Sequence, residues 1–80
     1  MLEAEELINE ARGKSAYKAD VYGETCDSAL DLMRDYTTED YASLEALAKT
    51  LRGYDSELFG AAAVKMEQAA ASLRTYENYK

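Results

Sequence analysis

Histidine, proline and tryptophan are absent from this chain of 80 residues, and cysteine occurs only at position 26. Without histidine, the chain lacks the commonest general base and the usual ligand of zinc and di-iron sites. Cys26 has no second cysteine for a disulfide, and neither an export leader nor a long apolar run is evident. We therefore expect a cytoplasmic, non-enzymatic protein with no metal or other cofactor.

Residues that favour β-strands are also scarce, since the chain has two valines and one isoleucine. Hydrophobic residues make up 48% of the sequence, but most of them are alanine and leucine, which favour helices. The composition therefore predicts one all-α domain over residues 1–80. A chain this short buries only a modest core, which leaves homodimerisation open as a further source of stability.

The stretch from Ser56 to Tyr76 has the clearest helical pattern in the chain. Its apolar residues recur at intervals of three and four and fall on one stripe, whereas Lys65, Glu67 and Arg74 fall elsewhere. Two alanine triplets within the stretch allow a neighbouring helix to approach closely. The pattern predicts a helix whose buried stripe contains Phe59, Ala62, Met66, Ala69, Leu73 and Tyr76.

Helical spacing also begins near the N terminus, and Gly13 then leaves two alternatives open. The glycine can end a first helix, with Ser15 as the N-cap of the next one. Alternatively, one helix runs through Gly13 as far as Tyr36. The apolar phase favours the continuous helix, because one face is kept across the glycine by Ile8, Ala11, Ser15, Tyr22, Cys26, Ala29 and Met33.

A further helix is predicted after Thr37, where two hydroxyl residues are followed by two carboxylates in a variant of the capping box. This helix ends at Arg52, and Gly53 suits a left-handed cap. Asp55 or Ser56 can then cap the last helix. The sequence thus predicts a small antiparallel bundle of three helices, or four if the first breaks at Gly13, in which the middle helix turns inward Tyr41, Leu44, Leu47, Ala48 and Leu51.

The two halves of the sequence resemble each other at an offset of 40 residues. Internal duplication is one interpretation, and it favours a break at Gly13 because Gly53 follows a predicted helix end. Chance agreement in a helix-rich, alanine-rich chain is the other interpretation. The matching positions are Glu5 with Glu45, Leu7 with Leu47, Arg12-Gly13 with Arg52-Gly53, Ala29 with Ala69, Arg34 with Arg74 and Tyr36 with Tyr76.

Negative charge is the most informative feature for function. Sixteen acidic residues against nine basic ones give a net charge of −7, which repels nucleic acid and anionic membranes and favours a basic protein surface as partner. Five of the acidic residues recur at intervals of 4, 3, 4 and 4, within a sector of about 80° on a helix and opposite the predicted core. The candidate partner-binding residues are therefore Asp20, Glu24, Asp27, Asp31 and Asp35.

Three further residues extend this candidate site. Tyr17 lies beside the acidic sector by the same helical phase, and tyrosine is enriched at binding surfaces. Glu6 and Glu10 lengthen the acidic line if the helix continues through Gly13. The alternative interpretation is a solvated face that keeps the protein soluble, but mixed charges would serve solubility without repulsion between carboxylates.

Two nucleophilic side chains lie within the acidic segment. Cys26 falls on the predicted core face without a histidine partner, which indicates a buried small hydrophobic residue. Ser28 belongs to the sequence Asp27-Ser28-Ala29-Leu30, which resembles the Asp-Ser-Leu attachment site of acyl carrier proteins and would imply a phosphopantetheine-bearing carrier. Ala29 interrupts that motif, and Ser28 falls inside a predicted helix instead of at its start.

Small acidic helical inhibitors encoded by phages and mobile elements, among them anti-CRISPR and anti-restriction proteins, resemble this chain in size and charge. We therefore expect a protein-binding module that mimics nucleic acid and occupies a basic nucleic-acid-binding groove of a partner protein. The alternative is a structural or assembly module that acts through self-association or helix pairing. An acyl-carrier-like protein is the third hypothesis.

Overall fold

Four α-helices make up most of residues 2–54 and 56–79, which are the part of the chain that the computed structural model describes. The helices are α1 (Leu2–Arg12), α2 (Ala19–Arg34), α3 (Tyr41–Arg52) and α4 (Glu57–Asn78), and a 3-10 turn at Thr38–Asp40 precedes α3. The predicted all-α bundle is confirmed, in its four-helix form. None of these helices is both long and apolar enough to cross a membrane.

The continuous first helix that the apolar phase favoured is not formed, because α1 ends at Arg12. In the turn that follows, the Gly13 N–H donates to the Glu10 carbonyl at 3.1 Å. Ser15 is exposed and caps neither helix, since the N-cap of α2 is Lys18. The break has a physical reason: it allows α1 to pack its apolar side on α4, whereas one helix over this whole stretch would be about 50 Å long.

Helix α4 lies at the centre of the packing, with α1 and α3 along it in antiparallel directions. The Lys65 Nζ atom, in the middle of α4, lies 2.9 Å from the Glu3 carboxylate at the start of α1. Arg74, near the end of α4, pairs with Glu45 in the first half of α3. Helix α2 packs against α3 and α1. Helix α2, which contains the predicted acidic residues, therefore lies on the side of the bundle away from α4.

Alanine makes up half of the buried core. Seven of the fourteen buried residues in the described part of the chain are alanines, and no polar or charged residue there is buried. Small side chains bring the helix backbones close together but fill little volume, so each large side chain accounts for much of the buried apolar surface. The larger buried residues are Ile8, Cys26, Met33, Leu44, Leu51, Phe59 and Met66.

The buried face of α4 follows the predicted stripe in the first half of the helix and departs from it towards the C terminus. Tyr76 was predicted to face inward but is 59% exposed. Leu2, at the start of α1, lines the same groove as Ser72, which is one turn before Tyr76. The buried residues of α4 are Phe59, Ala62, Ala63, Met66 and Ala70, while Ala69 and Leu73 are half-buried.

Both predicted capping residues are found, Thr37 at the 3-10 turn and Ser56 at α4, but α3 itself begins only at Tyr41, after the 3-10 turn. The Thr37 backbone N–H donates to the Asp40 carboxylate at 2.8 Å and forms the capping box before α3. The Ser56 hydroxyl accepts a hydrogen bond from the Phe59 N–H at 3.4 Å at the start of α4. Asp55, the alternative cap, lies outside the described residues.

Helices α1 and α3 end alike, at Arg12 and Arg52, and each is followed by a glycine. The left-handed conformation predicted for Gly53 is wrong, because its φ of −70° and ψ of −13° continue the right-handed turn. The Gly53 N–H still donates to the Lys49 carbonyl at 3.2 Å. The other two helix ends do not match at this offset, since α2 ends at Arg34 and α4 continues past Arg74 to Asn78, so duplication and chance both remain open.

An aromatic cluster closes the end of the bundle where α2 begins and α3 ends. The Tyr22 ring centroid lies 4.7 Å from that of Tyr54 and 5.3 Å from that of Phe59, and the Tyr17 ring is 5.9 Å from Tyr22. The hydroxyl groups of Tyr54 and Thr25 are hydrogen-bonded at 2.7 Å. These contacts join the turn after α1 to α2, to α4 and to the turn after α3, so tertiary packing stabilises the break in the chain.

Cys26 is fully buried, as predicted. Burial raises the pKa of its thiol, although a hydrogen bond with the Tyr17 hydroxyl acts in the opposite direction. Desolvation also raises the pKa of Tyr17. The side chain therefore packs as a small hydrophobic group with little thiolate at neutral pH.

The core is tested by Leu44→Ala, which removes a fully buried side chain from α3. We expect the free energy of unfolding to fall by about 2–5 kcal/mol, because the lost burial adds to the cost of a cavity. Leu2→Ala makes the same change at a residue that is 67% exposed, and it should cost less than about 0.5 kcal/mol. Urea unfolding followed by circular dichroism measures both, and equal losses would contradict the packing of α3.

The burial of Cys26 predicts its reactivity. In the native protein the thiol should react slowly with a thiol reagent, and in urea it should react at the rate of a free cysteine, because labelling requires opening of the fold. A variant with Cys26→Ala and Ser28→Cys places the thiol at an exposed position of the same helix and should be labelled rapidly without urea. Equal native rates for the two proteins would show that the assigned orientation of α2 is wrong.

Candidate acidic binding face

Helix α2 presents its carboxylates on the side opposite its buried residues. Its core side consists of Cys26, Ala29 and Met33. The acidic side chains are exposed and lie within a sector of about 60° that extends for about 17 Å along the helix. Four of the five acidic positions predicted from spacing are thus brought together, and we call them the acidic face: Asp20, Glu24, Asp27 and Asp31.

Only the C-terminal half of the acidic face has cations nearby. An Arg12 Nη2 atom lies 4.0 Å from the Asp27 Oδ1 atom, and an Arg34 Nη1 atom lies 3.7 Å from the Asp31 Oδ1 atom. These pairs are exposed to solvent, so each stabilises the fold by less than about 1 kcal/mol. Within the described residues, neither Asp20 nor Glu24 has a cation within 4.0 Å.

Two predicted site residues, Asp35 and Tyr17, lie off the acidic face. Asp35 is the C-cap of α2, and its φ of −146° and ψ of 93° take it out of the helical sector. Tyr17 precedes α2 and is half-buried against Tyr22, so its ring belongs to the aromatic cluster. Both predictions extended a helical phase beyond the residues that are helical.

Glu6 and Glu10 are exposed, but they do not lengthen the acidic face. The break after α1 removes the continuous helix on which that prediction depended. By helical phase, both residues lie on the side of α1 away from its buried Ala4, Ile8 and Ala11. Their negative charge therefore belongs to α1, which neighbours the acidic face on α2.

Negative charge is concentrated in the first two helices. Helices α1 and α2 each contain four acidic residues and one arginine, which gives −3 for each. Helix α3 contains one glutamate, one lysine and one arginine, and α4 contains three glutamates, one lysine and one arginine, so their charges of +1 and −1 cancel. Helices α1 and α2 together thus carry −6, and α3 and α4 together are neutral. With the connecting segments included, residues 1–36 carry −5 and residues 37–80 carry −2. The spacing of single residues does not reveal this asymmetry, whereas counting charges over each predicted helix does.

The described residues do not form a metal site of the usual kind. They contain no group of three or more histidine, cysteine, aspartate or glutamate residues that could hold a metal ion. Ser28 is exposed in the middle of α2 and not at a helix start, so it differs in position from the acyl carrier attachment site that it resembles in sequence.

The chemistry that the acidic face offers is that of a row of ionised carboxylates on a rigid helix. Such groups accept charge-assisted hydrogen bonds from arginine and lysine side chains. The face therefore suits a cationic protein surface, and this inference rests on its geometry alone. No protein-family model matches the chain, and no curated protein or solved structure is significantly similar to it.

Proposed function

We propose that the protein is a non-enzymatic binding module whose acidic face occupies a basic groove of a partner protein. The partner class that fits best is a nucleic-acid-binding protein, which the module inhibits as a nucleic-acid mimic in the manner of anti-CRISPR and anti-restriction proteins. One observation carries the proposal. Four exposed carboxylates line one face of α2, and helices α1 and α2 together carry −6, whereas α3 and α4 together are neutral.

The spacing of the acidic face supports this choice of partner. Successive carboxylates are three or four residues apart, which is about 4.5–6 Å along the helix axis, against about 3.4 Å between phosphates along one DNA strand. A groove that binds nucleic acid presents arginine and lysine side chains at comparable intervals. Long-range attraction between the two charged surfaces also speeds their encounter.

The energetic cost of the acidic face supports a role in binding. It contains three consecutive like-charge pairs, and each costs about 0.2–0.5 kcal/mol, so the total is about 0.6–1.5 kcal/mol before screening. Arg12 and Arg34 offset only part of this repulsion, because their ion pairs are exposed. A surface of mixed charges would give the same solubility without this cost.

The proposal is tested in two steps. The first identifies the partner, and the second asks whether the protein competes with nucleic acid for binding to that partner. The immobilised protein is exposed to lysate of the cells in which it occurs, and retained proteins are eluted with a salt gradient and identified by mass spectrometry. We expect a nucleic-acid-binding protein whose labelled duplex DNA is displaced by the module, with weaker displacement as salt rises. A retained partner that keeps its DNA in the presence of excess module would contradict nucleic-acid mimicry.

Matched charge removal tests the acidic face itself. Asp20→Asn with Glu24→Gln removes the two carboxylates that lack a nearby cation, and we expect slower association with the partner and a weaker dependence on salt. The control, Glu39→Gln with Glu57→Gln, changes the net charge equally at exposed positions outside α2. Stopped-flow association rates at several salt concentrations compare the two variants. Equal slowing would assign the effect to net charge and not to the acidic face.

Stability should respond in the opposite direction to binding. Glu24→Gln removes two like-charge pairs, with Asp20 and Asp27, and it breaks no ion pair in the described structure. We therefore expect the free energy of unfolding to stay level or to rise by up to about 1 kcal/mol. Urea unfolding at low salt measures the change, and added salt should reduce it. A clear loss of stability would show that Glu24 makes a favourable contact.

A further inference from the structure

The surface between α3 and α4 forms an open groove of about 680 Å³ that the acidic face does not include. Three exposed alanines line it, two from α3 and one from α4. Because alanine has little bulk, another helix can approach these two backbones closely. We call this surface the α3–α4 groove, and its alanines are Ala42, Ala46 and Ala71.

Two ion pairs between α3 and α4 lie at opposite ends of the central part of this groove. Glu45 pairs with Arg74 towards one end, and Arg52 pairs with Glu67 towards the other. The Arg74 guanidinium also lies 4.8 Å from the centre of the Tyr41 ring, which helps to fix its position. All four charged side chains are about half exposed, so each can also pair with a group from outside.

The signs of these charges alternate around the groove. Along α3 the order is Glu45 then Arg52, and on antiparallel α4 the facing order is Arg74 then Glu67. A two-fold axis parallel to the helices places α3 of a second copy on α4 of the first. Each glutamate then meets an arginine of the other copy at both ends of the groove. The surface is therefore electrostatically complementary to itself.

We propose that the α3–α4 groove is a homodimer interface with this two-fold axis. An axis across the helices would also bring opposite charges together, but it would place the Lys49 ammonium groups of the two copies side by side near the centre. Lys49 lines the groove and has no ion-pair partner in the described part of the chain. The parallel axis separates the two lysines and lays each over the alanine of the facing α4.

The distribution of charge also selects this face over the others. Helices α3 and α4 together are neutral, so the two surfaces that would meet there carry no net charge. Helices α1 and α2 together carry −6, and two such surfaces would repel each other. The proposed dimer leaves both acidic faces exposed on other sides of the assembly. It is independent of the function proposed above, and each can fail without the other.

The size of the groove sets the expected affinity. A stable complex buries about 800 Å² per partner, which would be roughly a sixth of the 5145 Å² surface of this small protein. Two adjoining helices, of which α3 is about 18 Å long, supply less than that. We therefore expect a dimer in rapid exchange with monomer, with a dissociation constant of about 10 μM or weaker.

Sedimentation equilibrium of the full chain from about 1 μM to about 1 mM tests the proposal. The average mass should rise from near 8.9 kDa towards twice that value. Ala46→Glu places bulk and charge inside the groove and should hold the protein monomeric, while Ala61→Glu makes the same change at an exposed position of α4 outside the groove and should not. A strict monomer over the whole range, or dimerisation of A46E like that of A61E, would overturn the proposal. Circular dichroism checks that both variants remain folded.

A double exchange of charges tests the direction of the axis. Glu45→Arg with Arg74→Glu keeps the ion pair within each copy but leaves only cations on the α3 side of the groove and only anions on the α4 side. With the proposed axis, α3 still meets α4 of the second copy, so the dimer should persist. With the axis across the helices, like charges would meet and the dimer would dissociate. Loss of the dimer in this variant would overturn the proposed arrangement.

Discussion

Close packing of α4 against α1 and α3 is the interaction on which the rest of the structure depends. Alanines form half of the buried core in the described residues, so the helix backbones can approach closely along their length. Few large side chains fill the remaining space, and Phe59 connects this core to the aromatic cluster at the start of α2. The position of α2, and with it the direction of the acidic face, follows from that packing.

The bundle separates its charges into two halves with different properties. On α3 and α4 the ion pairs of Glu45 with Arg74 and of Arg52 with Glu67 connect the two helices, and the net charge of the pair of helices is zero. On α2 the carboxylates of Asp20 and Glu24 have no cation nearby in the described structure, although a basic residue at a neighbouring position would relieve their repulsion. One half is suited to contact with a neutral surface, and the other is suited to a cationic one.

Most of the helical segments could be predicted from residue spacing, because the positions that contact the core recur with the period of the helix. Several predictions made from short stretches of sequence are confirmed. They are the capping residues Thr37 and Ser56, the end of α3 at Arg52 and the burial of Cys26. The prediction for Tyr76 failed because its burial depends on which other elements pack beside the last turns of α4. Spacing within one helix contains no information about the length of its neighbour.

The sequence by itself determined the helical class, the central apolar helix and the alignment of four carboxylates on one side of α2, since these follow from periodicity within a segment. Only the tertiary structure decided that the chain turns after Gly13, because the apolar phase runs through the glycine and favours no break. Packing of α1 on α4, together with the contacts of Tyr17 and Tyr22, stabilises that turn. It also removed Glu6, Glu10 and Tyr17 from the acidic line, since a line along one helix exists only where the helix is continuous.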